Sequence, residues 1–404
     1  MPTFAEARTL ILKNVSVLGA ETVAILDALD RVIAEDVLAP QNMPSYDSSA
    51  MDGYAVRESD CREPTRLRLT GYVPAGGEAA TPVEPGCAIK IMTGAPIPAL
   101  CDAIVPFEET AEADGYVLIK AKVKPHQHMR FTGEDVKAGE VVIPSGAIIR
   151  PPEISMLATC NRSSIRAYRR PKVAILSTGD ELVELGGAFA AGKVINSNAY
   201  SLAASIQEIG AIPVFLGIAR DNRESHREKI AEGLRADALI TSAGVSTGDR
   251  DLVREVLSEL GAAEVFWKVD VKPGGPMAFR LKDGKPVFCL PGNPVATMIT
   301  FEEFVRPALL KMLGRKRVFR KFVSAVFQGE IRNRPGKIKF VRVHLEHREG
   351  KIFAYSAGDQ NTGMLKAMLN ADGLAMIPAD RSLLSPGDPV DVHVLSSELE
   401  MQES

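Results

Sequence analysis

Carboxylates, hydroxyls and glycines gather in four short segments of the chain, and each follows an apolar run typical of a strand. The segments are residues 177–181, 221, 242–251 and 291–294. Glycines let the backbone approach a ligand closely and leave N–H groups free for an anion. Asn293 followed by Pro294 predicts the start of a helix, and a helix N-terminus favours negative charge. The pattern therefore predicts a site for an anionic ligand.

Four carboxylates, Glu181, Asp221, Asp249 and Asp251, belong to these same segments. A carboxylate repels an anion unless a divalent cation lies between them, and carboxylate oxygens are ligands that Mg²⁺ prefers. Any one of these residues alone could merely cap a helix or fill a turn. Because all four lie in segments of one kind, the sequence predicts a Mg²⁺ site beside the anion site.

Hydroxyls and lysines complete the predicted site. Lys268 and Lys272 lie four positions apart around the end of an apparent strand over residues 264–271, so we expect both on one face of it. Next to the turn at residues 273–276 they could grip phosphate or oxoanion oxygens, or they could belong to a solvated strand face. Hydrogen-bond donors are predicted at Ser177, Thr178, Ser242, Ser246 and Thr247.

The elements that must position these groups form a predicted parallel α/β domain over residues 171–317. Apolar strand-like runs alternate there with helical patterns, which is typical of parallel strands joined by crossover helices. Ligands of such open sheets bind beyond the carboxyl ends of the strands. The four segments should therefore meet at one edge of the sheet.

The rest of the chain predicts a multidomain α/β plus β fold. Residues 1–53 with 140–170 are expected to form a helical domain, with helices at 3–15 and 21–29 and a polar loop at 44–53. Residues 54–139 predict a small inserted β domain, because short strands alternate with Gly and Pro. Residues 318–404 show two-residue alternation and predict a C-terminal β-barrel.

Composition narrows the class of protein. The 404 residues are 46% hydrophobic and 25% charged, with a net charge of -3. There is no basic block or arm, so nucleic-acid binding is not expected. No apolar run reaches the roughly 18 to 20 residues of a membrane span. The five cysteines are scattered and odd in number, and the first residues lack a signal peptide pattern, which favours a cytoplasmic protein.

Six motifs, in order along the whole chain, resemble those of the molybdopterin molybdenumtransferases, a group that includes the gephyrin E domain. They are 49–55 (Ser-Ala-Met-Asp-Gly-Tyr-Ala), 93–96 (Thr-Gly-Ala-Pro), 133–135 (Gly-Glu-Asp), 177–182 (Ser-Thr-Gly-Asp-Glu-Leu), 244–246 (Gly-Val-Ser) and 290–295 (Leu-Pro-Gly-Asn-Pro-Val).

The resemblance implies an enzyme that binds adenylylated molybdopterin and molybdate and, with Mg²⁺, releases AMP and leaves the metal on the dithiolene. It also implies a homodimer with composite sites, in which the α/β domain of one subunit faces the small β domain and polar loop of the other. An upstream adenylyltransferase and recipient molybdoenzymes are the implied protein partners.

Residue by residue, the resemblance assigns functional acids, basic residues and substrate contacts. The acids are Asp52, Asp135, Glu181, Asp221 and Asp251, of which the last three are the expected metal ligands. The substrate-binding residues are Thr93, Ser177, Thr178, Gly244, Ser246, Lys268, Lys272, Pro291, Gly292, Asn293 and Pro294.

The sequence departs from the family pattern at three places. Gly275 occupies a turn where the family usually has a lysine, Ala243 replaces a frequent glycine, and residues 361–364 replace a common Ser-Gly pairing. Loss of the turn lysine removes one cation from the anion site. It leaves open whether the oxoanion is molybdate or tungstate, because the two have similar size and charge.

Two other functions stay open at this point. A molybdopterin-binding scaffold without catalysis would use the same fold, although the presence of all five acids speaks against it. A hydrolase of a related nucleotide could use the α/β domain alone, although the N-terminal and C-terminal modules speak against that.

Overall fold

The computed structural model describes residues 1–62, 64–78, 82–188, 190–244 and 252–395. The chain divides into two compact units, one formed by Met1–Ala34 with Ser164–Ser404 and the other by Glu35–Ser163. The finer division into four domains stays a prediction. Among the described residues, no helix is both long and apolar enough to cross a membrane.

The first unit begins with the predicted N-terminal helix, Phe4–Lys13. Thr3 caps it through its hydroxyl, which accepts from the Glu6 N–H at 3.3 Å, and the Glu6 carboxylate accepts in return from the Thr3 N–H at 2.9 Å. This reciprocal pair is the expected capping box. The hydrogen bonds from Thr3 lower the pKa of Glu6.

The prediction of a second helix over residues 21–29 is wrong. The strand Ala20–Ala24 lies there, paired antiparallel with Ser164–Tyr168, and one 3₁₀ turn, Ile25–Ala28, follows it. Thr22 and Val23 are β-branched and favour a strand where a partner is present. That partner comes from a distant part of the sequence, so the local pattern could not reveal it.

The predicted parallel α/β domain is confirmed, with an antiparallel extension at one edge. Its six-stranded sheet has four parallel strands, and two further strands are added at one edge through antiparallel pairings. In spatial order the strands are Ile212–Ala219, Lys172–Thr178, Ala238–Ser242, Lys285–Leu290, Ala278–Lys282 and Ala263–Trp267.

Helices cover both faces of this sheet. Val173 and Ile175 belong to one apolar cluster, while Ala174 and Leu176 belong to another. A strand buried on both faces must be apolar at successive positions, which is why these strands appear as continuous apolar runs. The helices are Ser197–Glu208, Arg223–Gly233, Leu252–Glu259, Pro294–Thr300 and Arg306–Met312, and the last two are joined by the π-helical turn Phe301–Val305.

The C-terminal barrel is also confirmed. Val341, Val343 and Leu345 alternate along one strand and belong to its apolar interior. Five strands close on themselves through their pairings. They are Phe322–Gln328, Ile338–Arg348, Lys351–Ser356, Gly373–Ile377 and Pro389–Val394.

The barrel region carries smaller elements as well. The two-residue strand Val271–Lys272 pairs in parallel with the start of the barrel strand Ile338–Arg348. Ile331–Arg332 pairs with Leu383–Leu384, and a short helix spans Lys366–Leu369.

The second unit is mainly β, as its turn-rich sequence predicts. Its six-stranded sheet contains, in spatial order, Ala103–Pro106, Gly53–Val56, Cys87–Ile91, Thr65–Val73, Tyr116–Ile119 and Thr110–Ala113. Short strand pairs join Val37–Leu38 to Val141–Ile143 and Ser48–Ser49 to Met129–Arg130. The helix Pro151–Thr159 follows.

Candidate functional site

A cleft lined by both polar and apolar groups lies at the carboxyl ends of the parallel strands in the first unit. Its volume is about 560 Å³. It is lined by Thr178, Glu181, Leu182, Val194, Ile195, Asn196, Ser197, Asn198, Ser242, Ala243, Gly244, Pro276, Pro291, Gly292, Asn293 and Pro294. The loops after three different strands therefore meet at one edge, as the position rule for open sheets predicts. Their roles toward a substrate stay predictions.

The helix that starts at Pro294 opens onto this cleft. Asn293 is its N-cap residue, but the Asn293 side chain makes no capping bond and donates instead to the Thr362 hydroxyl at 3.1 Å. Pro294 occupies the first turn, where its missing N–H costs nothing. Behind the cleft, the Thr297 hydroxyl donates to the Pro291 carbonyl at 2.6 Å and fixes the loop before the helix.

Two asparagines in the cleft wall were missed by the sequence reasoning. Asn198 donates from Nδ2 to the Ser242 hydroxyl and to the Gly292 carbonyl, both at 2.8 Å, and so ties two of the loops together. Asn196 is 2% exposed, and its Oδ1 accepts from the Ser177 hydroxyl at 2.8 Å. Ser177 thus lies behind the cleft wall, not in the lining.

These asparagines retain hydrogen-bonding capacity. Asn196 Nδ2 and Asn198 Oδ1 are buried and have no hydrogen-bond partner among the residues that the structure describes. Buried polar atoms without partners are rare, and a bound ligand is one of their explanations. The signal in the sequence was the run Ile-Asn-Ser-Asn at 195–198, which spans the start of the helix Ser197–Glu208.

Two of the predicted acids of this unit are described: Glu181 lines the cleft, and Asp221 lies on a neighbouring loop. The Glu181 carboxylate folds back over Gly179, where a Cβ would lie 2.3 Å from Glu181 Oε2. Gly179 also has a φ of 134°, so only glycine allows this arrangement. Asp221 accepts from the Asp180 N–H and Asp180 from the Asp221 N–H, each at 3.2 Å. These reciprocal bonds hold the loop of Asp180 and Glu181 beside the loop of Asp221.

Four of the predicted site residues, Ser246, Thr247, Asp249 and Asp251, lie outside the described residues. Within the described part of the chain, no group of three or more His, Cys, Asp or Glu side chains is arranged to hold a metal ion. The expected ligand set of Glu181, Asp221 and Asp251 stays a prediction.

The expectation that Lys268 and Lys272 share a strand face is wrong. The strand Ala263–Trp267 ends before Lys268, which has a φ of 79°, and Val271–Lys272 belongs to the barrel sheet. The Lys268 N–H donates to the Met277 carbonyl at 2.8 Å, so the chain turns back here. Spacing by four residues sets a common face only within an unbroken strand.

The structure places another lysine beside Lys272. Lys339 is its partner in the parallel pairing and donates to the Arg332 carbonyl at 2.7 Å. Burial, and then the charge of Lys272, lower the pKa of Lys339. Gly275 lies in the turn at residues 273–276, which follows Lys272 in the sequence. A Cβ at this position would lie 3.1 Å from the Val271 carbonyl oxygen, so a lysine there would require a small backbone shift.

The second unit carries Asp52, Thr93 and Asp135. The Asp52 Oδ1 accepts from the Thr93 N–H at 2.6 Å and from the Thr93 hydroxyl at 2.8 Å. These two bonds lower the pKa of Asp52, which is exposed. Asp135 is exposed as well, and its N–H donates to the Met43 carbonyl at 3.1 Å. Loops therefore present all three side chains to solvent.

Comparisons with known proteins cover nearly the whole chain. Residues 2–161 match the model of the MoeA N-terminal region (domains I and II), residues 174–311 match a probable molybdopterin binding domain, and residues 324–395 match the MoeA C-terminal region (domain IV).

Full-length relatives and solved structures agree with these matches. The chain is 34% identical to the molybdopterin molybdenumtransferase of Haemophilus influenzae, covering 97% of this chain and 98% of that protein. It is 32% identical to the corresponding enzyme of Nostoc sp., over 96% and 93% of the two chains. Two structures of the molybdopterin biosynthesis MoeA protein from Pyrococcus horikoshii align with TM-scores of 0.86 and 0.82, at 29% and 28% identity, over 98% of this chain and 99% and 100% of theirs.

Proposed function

The chain belongs to the MoeA family of molybdopterin molybdenumtransferases, enzymes of molybdenum cofactor biosynthesis, and we propose that it inserts molybdate into adenylylated molybdopterin with release of AMP. In this reaction the phosphoanhydride between the molybdopterin phosphate and AMP is cleaved. An oxygen from water or molybdate bonds to the phosphorus atom of the cleaved bond and so becomes part of the released phosphate group. The two dithiolene sulfurs bond to molybdenum, and one molybdate oxygen leaves as water with the two thiol protons.

The single observation that carries this proposal is the cleft at the carboxyl ends of the parallel strands, where hydrogen-bonding groups lie among apolar ones. Its lining contains side chains that form hydrogen bonds, among them Thr178, Ser242 and Asn198, and Asn198 donates to the Ser242 hydroxyl. The loops at Gly244 and Gly292 bring main-chain groups to the cleft wall. Such a wall suits a pterin with phosphate groups, which needs many hydrogen bonds and close backbone approach.

Mg²⁺ is the divalent cation that we propose for this site. Glu181 and Asp221 offer carboxylate oxygens on adjacent loops, and Mg²⁺ is commonly held by one or two carboxylates together with substrate phosphates. Bound there, it would neutralise charge on the phosphoanhydride. Asp251 would be the third ligand.

The protein residues have separate tasks in this proposal. Lys272, beside Lys339, would hold oxoanion or phosphate oxygens as a point charge. Asp52, Thr93 and Asp135 would approach the substrate from the second unit of a partner subunit in a homodimer. The five cysteines are free thiols, which supports a cytoplasmic location where the adenylyltransferase and the recipient molybdoenzymes would be partners.

Tungstate is the second candidate substrate, because its size and charge are similar to those of molybdate. The turn that usually carries a lysine has Gly275 here, so the charge around the oxoanion differs from that of the family. Either oxoanion would use the same cleft.

Release of AMP by purified protein tests the proposal. We expect release from adenylylated molybdopterin to require both Mg²⁺ and molybdate, and a parallel reaction with tungstate decides between the two oxoanions. Glu181→Gln should slow release by about two orders of magnitude, because cation-assisted charge stabilisation supplies several kcal/mol. Glu228→Gln, on an exposed helix position of the same unit, is the matched control. Release that needs neither oxoanion nor cation would refute the proposal.

A further inference from the structure

We propose that Asp47 is a positioning residue that holds the loop of Asp135 in its working geometry, acting through Thr132. This inference rests on the proposed function, because Asp135 is one of the acids that the family resemblance assigns. Asp47 itself does not belong to that set.

The contacts of Asp47 are specific. Its Oδ1 accepts from the Thr132 N–H at 2.8 Å and from the Thr132 hydroxyl at 2.7 Å. Next to it, the Gly133 N–H donates to the Pro44 carbonyl at 2.9 Å, and the Asp135 N–H donates to the Met43 carbonyl at 3.1 Å. The loop of Asp135 is therefore attached along the polar segment that contains Asp47, and the Asp47 carboxylate is its side-chain anchor.

The same segment also holds the loop of Thr93. The Ile97 N–H donates to the Asp47 carbonyl at 3.0 Å, and the Gly94 N–H donates to the Ser49 carbonyl at 2.8 Å. Residues 44–53 thus bind two loops at once, one carrying Thr93 and the other Asp135. Asp47 contacts both, the first through its main chain and the second through its side chain.

The carboxylate is chemically suited to this task. Hydrogen bonds to an ionised acceptor are stronger than those to a neutral one. The two bonds from Thr132 lower the pKa of Asp47, so it stays ionised at neutral pH. An asparagine would keep an acceptor oxygen but lose the charge, and its amide could not accept on the other side.

Five variants and one measurement of dynamics test the inference, and Asp135→Asn is the variant that shows the effect of changing the acid itself. Asp47→Asn removes the charge of the carboxylate. Thr132→Val removes the hydroxyl of Thr132, whereas Thr132→Ser keeps a hydroxyl at this position. Asp36→Asn is the control, because the exposed Asp36 carboxylate accepts a single main-chain bond from Ser145 at 2.6 Å in the same unit. Hydrogen exchange of the amides of residues 131–135 reports on the loop, and kcat and KM for molybdate-dependent AMP release report on function.

We expect Asp47→Asn and Thr132→Val to speed exchange in residues 131–135 and to lower kcat by roughly tenfold to a hundredfold, as losses of supporting contacts do. KM should change less than kcat. Thr132→Ser and Asp36→Asn should stay within about twofold of wild type, as surface substitutions usually do.

Two results would overturn the inference. One is unchanged exchange at residues 131–135 in Asp47→Asn. The other is a wild-type kcat in Asp47→Asn while Asp135→Asn is impaired. If the wild-type protein itself released no AMP, the proposed function would fail, and the exchange experiment would still decide whether Asp47 holds the loop. If Asp47→Asn did not fold, the contrast between Thr132→Val and Thr132→Ser would decide instead.

Discussion

At the scale of single residues, two aspartates of the polar segment make the same pair of hydrogen bonds to a threonine. Asp47 accepts from the N–H and hydroxyl of Thr132, and Asp52 does the same with Thr93. Motif resemblance found Asp52, Thr93 and Asp135 in the sequence. The link from Asp47 to Thr132 spans 85 positions and left no local signal, so only the fold could reveal it.

Both aspartates should titrate below the ordinary pKa of 3.8, because the threonine N–H and hydroxyl stabilise the charged form. A folded pKa below the unfolded one stabilises the fold above the unfolded pKa, and this contribution is lost as the pH falls through the folded pKa. Carboxyl carbon shifts followed by NMR should show both midpoints below 3.8. In Thr93→Val the Asp52 midpoint should rise and that of Asp47 should not. Midpoints at or above 3.8 in wild type would show that these bonds are absent in solution.

At the scale of elements, success and failure of sequence reasoning have a common cause. The strand Lys172–Thr178 was predictable because it is buried on both faces, and burial requires a continuous apolar run. The strand Ala20–Ala24 was not, because its antiparallel partner lies at Ser164–Tyr168. Lys268 and Lys272 were misplaced because a turn interrupts their apparent strand.

A buried charge cluster joins three elements of the first unit. Glu303, 1% exposed in the π-helical turn, forms an ion pair with Arg8 of the N-terminal helix and bonds His393 of the last barrel strand at 2.9 Å. The Arg8 Nε also donates to the Glu303 carbonyl at 2.9 Å. Three elements that are distant in sequence therefore depend on one carboxylate.

Glu303→Ala should lower the free energy of unfolding by about 3–5 kcal/mol, because it leaves Arg8 and His393 without their buried acceptor. Glu346→Ala, which removes an exposed partner of Arg348, is the control and should change it little. Urea unfolding measures both. A loss of less than about 1 kcal/mol for Glu303→Ala would mean that the cluster contributes no more than a surface ion pair.

At the scale of the whole molecule, the proposed function assigns residues of both units to one substrate site. The acids Asp52 and Asp135 belong to the second unit, whereas Glu181 and Asp221 belong to the first. In a two-fold dimer the same two surfaces meet twice, so each substrate site can combine one unit from each subunit.

Complementation tests this arrangement. Asp52→Ala and Asp251→Ala should each be inactive. When they are mixed and allowed to exchange, about half of the dimers are heterodimers, each with one intact composite site of two. Activity should therefore recover to roughly a quarter of wild type. Absence of recovery, with heterodimers confirmed by native mass spectrometry, would mean that each site is built within one chain.

The most direct test of the central claim is the stoichiometry of a single turnover. Purified protein, adenylylated molybdopterin, Mg²⁺ and molybdate are mixed, and AMP, pterin-bound molybdenum and the activity of an added cofactor-free molybdoenzyme are measured together. Metal insertion coupled to AMP release predicts equal amounts of AMP and bound molybdenum, and activation of the added enzyme. AMP release without bound molybdenum would identify a hydrolase, and tight binding without AMP release would identify a scaffold; either result would contradict the proposed function.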